Sequence, residues 1–203
     1  NLALLENGTI AISKPEKKGK IIVVEGIDGV GKTTIVEGLL NSLNKLNIGE
    51  FVSIKTLTTD NLTGKALREM ISVKQEEIVD GDRLIYNYIS ETIYHFKRKG
   101  GVEDLISKGI NVILDRSYLS TLAYCENDYM REIVLATIDL KLPSLDMVVY
   151  VTANDDVIDK RIQDRGIKKE YYEDASKREK QSNVFRQFIC NGWKKINNHI
   201  EIN

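Results

Sequence analysis

Between Ile21 and Glu25 the chain runs IIVVE, a short apolar stretch that ends in one acid, and apolar residues then return at Ile35, Leu39, Leu40, Leu43 and Leu46. A continuous apolar run of this length fits a parallel strand covered on both faces, and the later spacing fits a helix with one buried side. The alternation continues. FVSIK (51–55) reads as a second strand, and Leu84, Ile85, Tyr88, Ile89, Thr92, Ile93 and Phe96 fall at helical spacing, predicting a long helix over 82–98. INVILD (110–115) and LDMVVYV (145–151) read as further strands, with a helix over 127–140 between them and another beginning near Asn154, a suitable N-cap. Residues 165–180 are charged and tyrosine-rich with no clear apolar period, which predicts a small lid leading into a last helix near Asn183 to Ile196; HIEI (199–202) then reads as an edge strand. Strands alternating with helices point to an α/β fold around a parallel sheet.

Regularity begins at Lys20, so residues 20–203 are expected to form one domain. The preceding nineteen residues read as an extension: an appended hairpin, an expression remnant or a tail. With 203 residues, 42% of them hydrophobic, the chain has enough apolar side chains for one core. Its 29 Lys and Arg nearly balance 30 Asp and Glu, so the charge gives no reason to expect a long nucleic acid as partner. Cys125 and Cys190 stand far apart and outside any Cys/His cluster, which reads as two reduced thiols. No apolar run approaches the roughly 18–20 residues of a membrane span, and no signal-peptide pattern opens the chain. A soluble, cytoplasmic protein is the expectation.

The chemistry is concentrated in VVEGIDGVGKTT (23–34), where Gly26, Gly31, Lys32 and Thr33 satisfy G-x-x-x-x-G-K-[ST] between a strand and a helix. In such a loop the backbone N–H groups around Asp28, Gly29, Val30, Gly31 and Thr34 turn toward a phosphate, and the helix N-terminus adds its dipole. Lys32 can bridge β- and γ-phosphates, and Thr33 can ligate Mg²⁺. A nucleoside triphosphate is therefore the expected ligand. The Asn-Lys-x-Asp segment by which GTPases read guanine is absent, and helicases need a longer chain, which leaves a small phosphotransferase or a nucleotide-gated regulator.

A second cluster lies in NVILDRSYLSTLAY (111–124), which puts Asp115 and Arg116 at the C-terminal end of a strand, where open parallel sheets hold their ligands. Asp115 can accept from Thr33 or from metal-bound water, and Arg116 can form a fork to a second phosphate. The bland reading of the pair is a helix cap with a salt bridge.

EGIDGVGKTT, LDRSYLSTLAY, and LPSLDMVVYV followed by DKRIQDRG resemble the thymidylate kinase family in order and spacing, over roughly residues 20–180. The resemblance implies a three-layer P-loop NTPase fold, a five-stranded parallel sheet flanked by helices with a small lid. It also implies transfer of the γ-phosphate of ATP, with Mg²⁺, to a deoxynucleoside monophosphate by a homodimeric enzyme. By that resemblance Asp28 reaches the acceptor sugar, Arg116 holds the acceptor phosphate, Ser120 and Tyr124 lie along sugar and base, and Tyr86 stacks on the base. Because the phosphate loop carries no arginine, Arg165 of the lid, with Lys168 or Lys169 as substitutes, is the expected catalytic cation, and Arg161 is expected to pack on the donor adenine.

Three departures bear on substrate choice. KTLTTDNLTGKALREM (55–70) replaces the family's arginine-containing segment after strand two, leaving Lys55 or Lys65 as substitutes; Ser90 stands where a thymine-reading arginine is usual; and family members usually continue past HIEIN. A deoxynucleoside kinase, or a nucleotide-binding regulator without turnover, are the competing readings.

Overall fold

The computed structural model describes residues 2–4, 10–12, 17–56, 61–72, 81–164, 173 and 175–203. Two short strands, β1 (Leu2–Leu4) and β2 (Ile10–Ile12), pair antiparallel as a hairpin within the expected extension.

The domain is built on β3 (Ile21–Glu25), whose residues are almost all buried because neighbours cover both its edges and both its faces. β3 is followed by α1 (Lys32–Lys45) and by β4 (Phe51–Lys55). Next come α2 (Leu62–Ser72), α3 (Gly81–Lys97) and α4 (Val102–Ser107), and then β5 (Asn111–Asp115). A short α5 (Tyr118–Tyr124) and α6 (Asp128–Lys141) lead to β6 (Met147–Val151), and α7 (Asp155–Asp164), α8 (Ala175–Ile189) and β7 (His199–Ile202) complete the chain.

Five strands form one parallel sheet in the order β4-β5-β3-β6-β7. The three central strands supply a core containing Val23, Val24, Val112, Ile113, Leu114, Val148 and Val149, whereas β7 is exposed along its length, as an edge strand of mixed polarity should be. β3 has β5 on one side and β6 on the other, so the loops leaving these strands open onto one rim of the sheet. No helix among the described residues is long and apolar enough to cross a membrane.

The last helix corrects the sequence reading. It begins at Ala175, not near Asn183, and ends at Ile189, so the second part of the expected lid is helical. Its buried positions include Arg178, Gln181, Val184, Phe185, Phe188 and Ile189, a regular helical series in which two polar residues occupy inward places. Those polar residues conceal the apolar period. Arg178 tolerates burial because its guanidinium reaches Asp159 at 2.5 Å and Asp155 at 3.5 Å on α7. The stretches 165–172 and Asp174 lie outside the described residues, and with them Arg165, Lys168 and Lys169.

Candidate active site

Where β3 ends, the chain must turn sharply beneath its neighbour. At Gly26 (φ 149°) a Cβ would stand 2.3 Å from the Val151 carbonyl oxygen, so no other residue fits without parting β3 from β6. Gly31, at φ 102°, is the N-cap of α1, where no side chain caps the helix and no acid occupies its first turn. The positive end of the helix is thus left to an anion. Lys32 Nζ folds back and donates to the Ile27 carbonyl at 2.7 Å. Burial, aided by the nearby Arg116 guanidinium, lowers the Lys32 pKa to about 8.

Thr33 Oγ1 donates to Asp115 Oδ2 at 3.1 Å, bringing an α1 hydroxyl and a β5 carboxylate together across parallel strands. One hydroxyl and one carboxylate, with phosphate oxygens and waters for the remaining positions, suit the all-oxygen octahedron of Mg²⁺. No cluster of three or more His, Cys, Asp or Glu among the described residues forms a self-sufficient cage.

After Asp115 the chain reverses into α5 through Arg116, which adopts a left-handed conformation (φ 71°), unusual for a residue other than glycine. The turn throws the guanidinium back over the phosphate loop. There it pairs with Asp28, donates to Ser120 Oγ at 3.1 Å, and lies 5.4 Å over the Tyr124 ring. Tyr124 donates to the other Asp28 oxygen at 3.1 Å. Asp28 therefore acts as counter-ion to Arg116 and as acceptor for Tyr124. The facing carboxylate holds the Arg116 pKa well above its ordinary value against the opposing pull of burial.

These groups line a cavity of about 320 Å³. From the phosphate loop and the start of α1 come Asp28, Gly29, Gly31, Lys32, Thr33 and Thr34; the end of β5, the turn after it and α5 supply Asp115, Arg116 and Tyr124; and β4, α2 and α3 supply Lys55, Arg68, Ile71 and Tyr88. Arg161 lies at its edge, donating to the Val30 carbonyl at 2.7 Å and to the Gly29 carbonyl at 3.3 Å. On the other side of Arg161 a second hollow, of about 600 Å³, runs between Val30, Thr34 and the β6–α7 loop at Ala153 and Asn154. The two spaces meet at Gly31, Thr34 and Arg161, which line both.

The expected residues divide accordingly. Gly26, Asp28, Gly29, Val30, Gly31, Lys32, Thr33, Thr34, Asp115, Arg116, Tyr124 and Arg161 converge on this rim of the sheet. Ser120 is buried beneath it, donating to Glu25 and accepting from Arg116. Tyr86 is 49% exposed and outside the cavity lining; Tyr88 lines it instead, its ring 6.3 Å from Tyr124. Of the two lysines expected to substitute for the missing arginine, Lys55 lines the cavity and Lys65 does not. Arg68, which the sequence reading passed over, stands with Lys55. It lies on α2, whose Leu67 and Ile71 form a buried face and bring this helix to the cavity.

A sequence profile described as thymidylate kinase matches residues 24–201. The chain is 29% identical over 152 residues to the thymidylate kinase of Buchnera aphidicola subsp. Baizongia pistaciae, covering 73% of this chain and 71% of that protein. It is 27% identical over 179 residues to the thymidylate kinase of Leptospira interrogans serovar copenhageni, covering 85% and 83% of the two. The crystal structure of thymidylate kinase from Ehrlichia chaffeensis aligns with a TM-score of 0.62 over 92% of this chain and 93% of that one, at 18% identity, a likeness of fold.

Proposed function

The chain belongs to the thymidylate kinase family, and on that premise we propose that this nucleoside monophosphate kinase transfers the γ-phosphoryl group of ATP to dTMP. The observation that carries this reading is the cavity lining, in which Lys55 and Arg68 stand together with Arg116. These three cations, besides the phosphate-loop lysine and Arg161, suit an acceptor that brings its own dianionic phosphate. A nucleoside acceptor would instead need a carboxylate positioned to take the 5′-hydroxyl proton. The two carboxylates lining the cavity are already engaged, Asp28 by Arg116 and Tyr124, and Asp115 by Thr33.

In this reading the donor adenine occupies the hollow beside Arg161, and the triphosphate crosses the loop backbone into the cavity. Lys32 leaves the Ile27 carbonyl for the β- and γ-phosphates. Thr33 and Asp115 would hold Mg²⁺, which would neutralise charge on the donor phosphates. Arg116 and Arg68 hold the acceptor phosphate in line with the γ-phosphorus, so the work lies in positioning and charge neutralisation, with no covalent enzyme intermediate. Tyr88 and Tyr124 face the base and sugar, and Asp28, still paired with Arg116, accepts from the sugar hydroxyl on a remaining lone pair. Arg165 is proposed as the cation that meets the transition-state charge.

Arginine substitutions test the assignment of the acceptor end. Arg68→Ala and Arg116→Ala are each expected to raise the KM for dTMP by about 10–100-fold, from the loss of charge-assisted hydrogen bonds of about 1.5–3 kcal/mol, while the KM for ATP changes little. Steady-state kinetics with each substrate varied separately reads the difference. Wild-type behaviour of Arg116→Ala would remove the second phosphate site.

A further inference from the structure

Glu25 ends a strand that is otherwise Ile and Val, and it is completely buried. A buried carboxylate is costly unless it is paired and hydrogen-bonded, so a strand end needing only packing has no use for one. Oε1 of Glu25 accepts from the Ser117 backbone N–H at 2.7 Å, the Ser117 hydroxyl at 2.9 Å and the Ser120 backbone N–H at 3.3 Å. Oε2 accepts from the Ser120 hydroxyl at 2.8 Å. Capping of α5 accounts for part of this, since Ser117 Oγ accepts from the Leu119 N–H and Glu25 Oε1 from the Ser120 N–H; the contact of Oε2 with the Ser120 hydroxyl caps no backbone group.

We propose that Glu25 is a positioning residue for the acceptor arginine, fixing the direction of the Ser120 hydroxyl and thereby aiming Arg116; this rests on the monophosphate kinase reading above. A serine hydroxyl has one proton and two lone pairs. With its proton committed to Glu25, Ser120 has a lone pair for the Arg116 Nη1–H at 3.1 Å. Glu25 also holds the Ser117 N–H that directly follows the left-handed Arg116 and the Ser120 N–H one helical turn on, so the same carboxylate fixes the backbone turn and the side-chain contact. Since Gly26 follows Glu25 directly, one residue ties the donor loop to the acceptor arginine. Burial raises the Glu25 pKa, and the Arg116 guanidinium and the two serine contacts oppose that rise.

Glu25→Gln keeps the shape and reverses one end of the group. An amide nitrogen at the Oε2 place would donate to Ser120, leaving that hydroxyl with two donors and its own proton without its acceptor. At the Oε1 place it would oppose two backbone N–H groups. The full-length variant is expected to raise the dTMP KM about tenfold and lower kcat, with the ATP KM within about twofold. Ser120→Ala should raise the dTMP KM similarly and add little on the Glu25→Gln background, because both act on one contact. A purely structural role would lower the active fraction and the melting temperature while leaving both KM values unchanged, and that result overturns the proposal.

Nitrogen-15 NMR of the arginine side chains, with the Arg116 signal assigned by Arg116→Lys, reads the same contact without any substrate. A restricted, slowly exchanging Arg116 guanidinium in the wild type that is released in Ser120→Ala and Glu25→Gln supports the proposal. An Arg116 signal unchanged in Ser120→Ala overturns it, even if Glu25→Gln does not fold. Failure of the wild type to turn over any monophosphate would overturn the kinase reading and leave this NMR comparison decisive for Glu25.

Discussion

Lys32 spends the nucleotide-free state bonded to the Ile27 carbonyl with its pKa lowered to about 8, below the ordinary 10.5. Between those two pH values the unfolded chain binds this proton more firmly than the folded chain does. The group's burden on the folded state is therefore full below pH 8 and is relieved as pH rises toward 10.5, so its contribution to stability increases across that window. A triphosphate reverses the preference by pairing with the ammonium. ATP affinity is expected to fall above about pH 8, with proton uptake on binding, which calorimetry in buffers of different ionisation enthalpy will detect. Lys32→Ala should abolish transfer. Lys32, Thr33, Asp115 and Arg116 were legible in the sequence because phosphate chemistry demands these residue types at fixed offsets around a strand end, whereas Asp28 was singled out only by the family resemblance. Glu25 was not, since its task depends on serines more than ninety residues away. Tyr88 was missed for a rotational reason: it lies about 200° around the helix from Tyr86, so choosing between two nearby tyrosines requires knowing which face meets the cavity.

At the level of elements, amphipathicity helped but did not suffice: Leu67 and Ile71 give α2 a buried face, yet no helix is assigned there from the sequence. The long α3 was visible because its buried face carries Leu84, Ile85, Tyr88, Ile89 and Phe96. All seven residues of α5 are buried, which leaves no polar face to set a period, and this helix carries the serines beneath the acceptor site. The first turns of α8 were hidden by Arg178, whose two carboxylate partners on α7 let it stand in a core position. That pairing joins the two helices that flank the segment assigned to the lid. Arg178→Ala is expected to cost about 1–3 kcal/mol through lost packing and charged hydrogen bonds, read as a lower urea midpoint without a change of slope. A midpoint equal to the wild type would mean that α7 and α8 are held by their apolar contacts alone.

Across the whole molecule the net charge is −1, yet the cavity gathers Lys32, Lys55, Arg68, Arg116 and Arg161 against Asp28 and Asp115. A near-neutral protein thus presents a locally positive cleft, which favours anionic substrates and screens with salt. The KM for dTMP should rise with ionic strength more steeply than a neutral acceptor's would. Sheet order and strand ends set this arrangement, because β3 and β5 deliver the loop and the Asp115–Arg116 pair to the same rim. Acceptor choice tests the central assignment most directly. ADP release should be followed with ATP and Mg²⁺ across the deoxynucleoside and nucleoside 5′-monophosphates and across the free nucleosides, thymidine included. The expected result is turnover of monophosphates with the highest kcat/KM for dTMP and none with thymidine. Turnover of thymidine with no monophosphate accepted, or ATP binding without turnover of any acceptor, would contradict it.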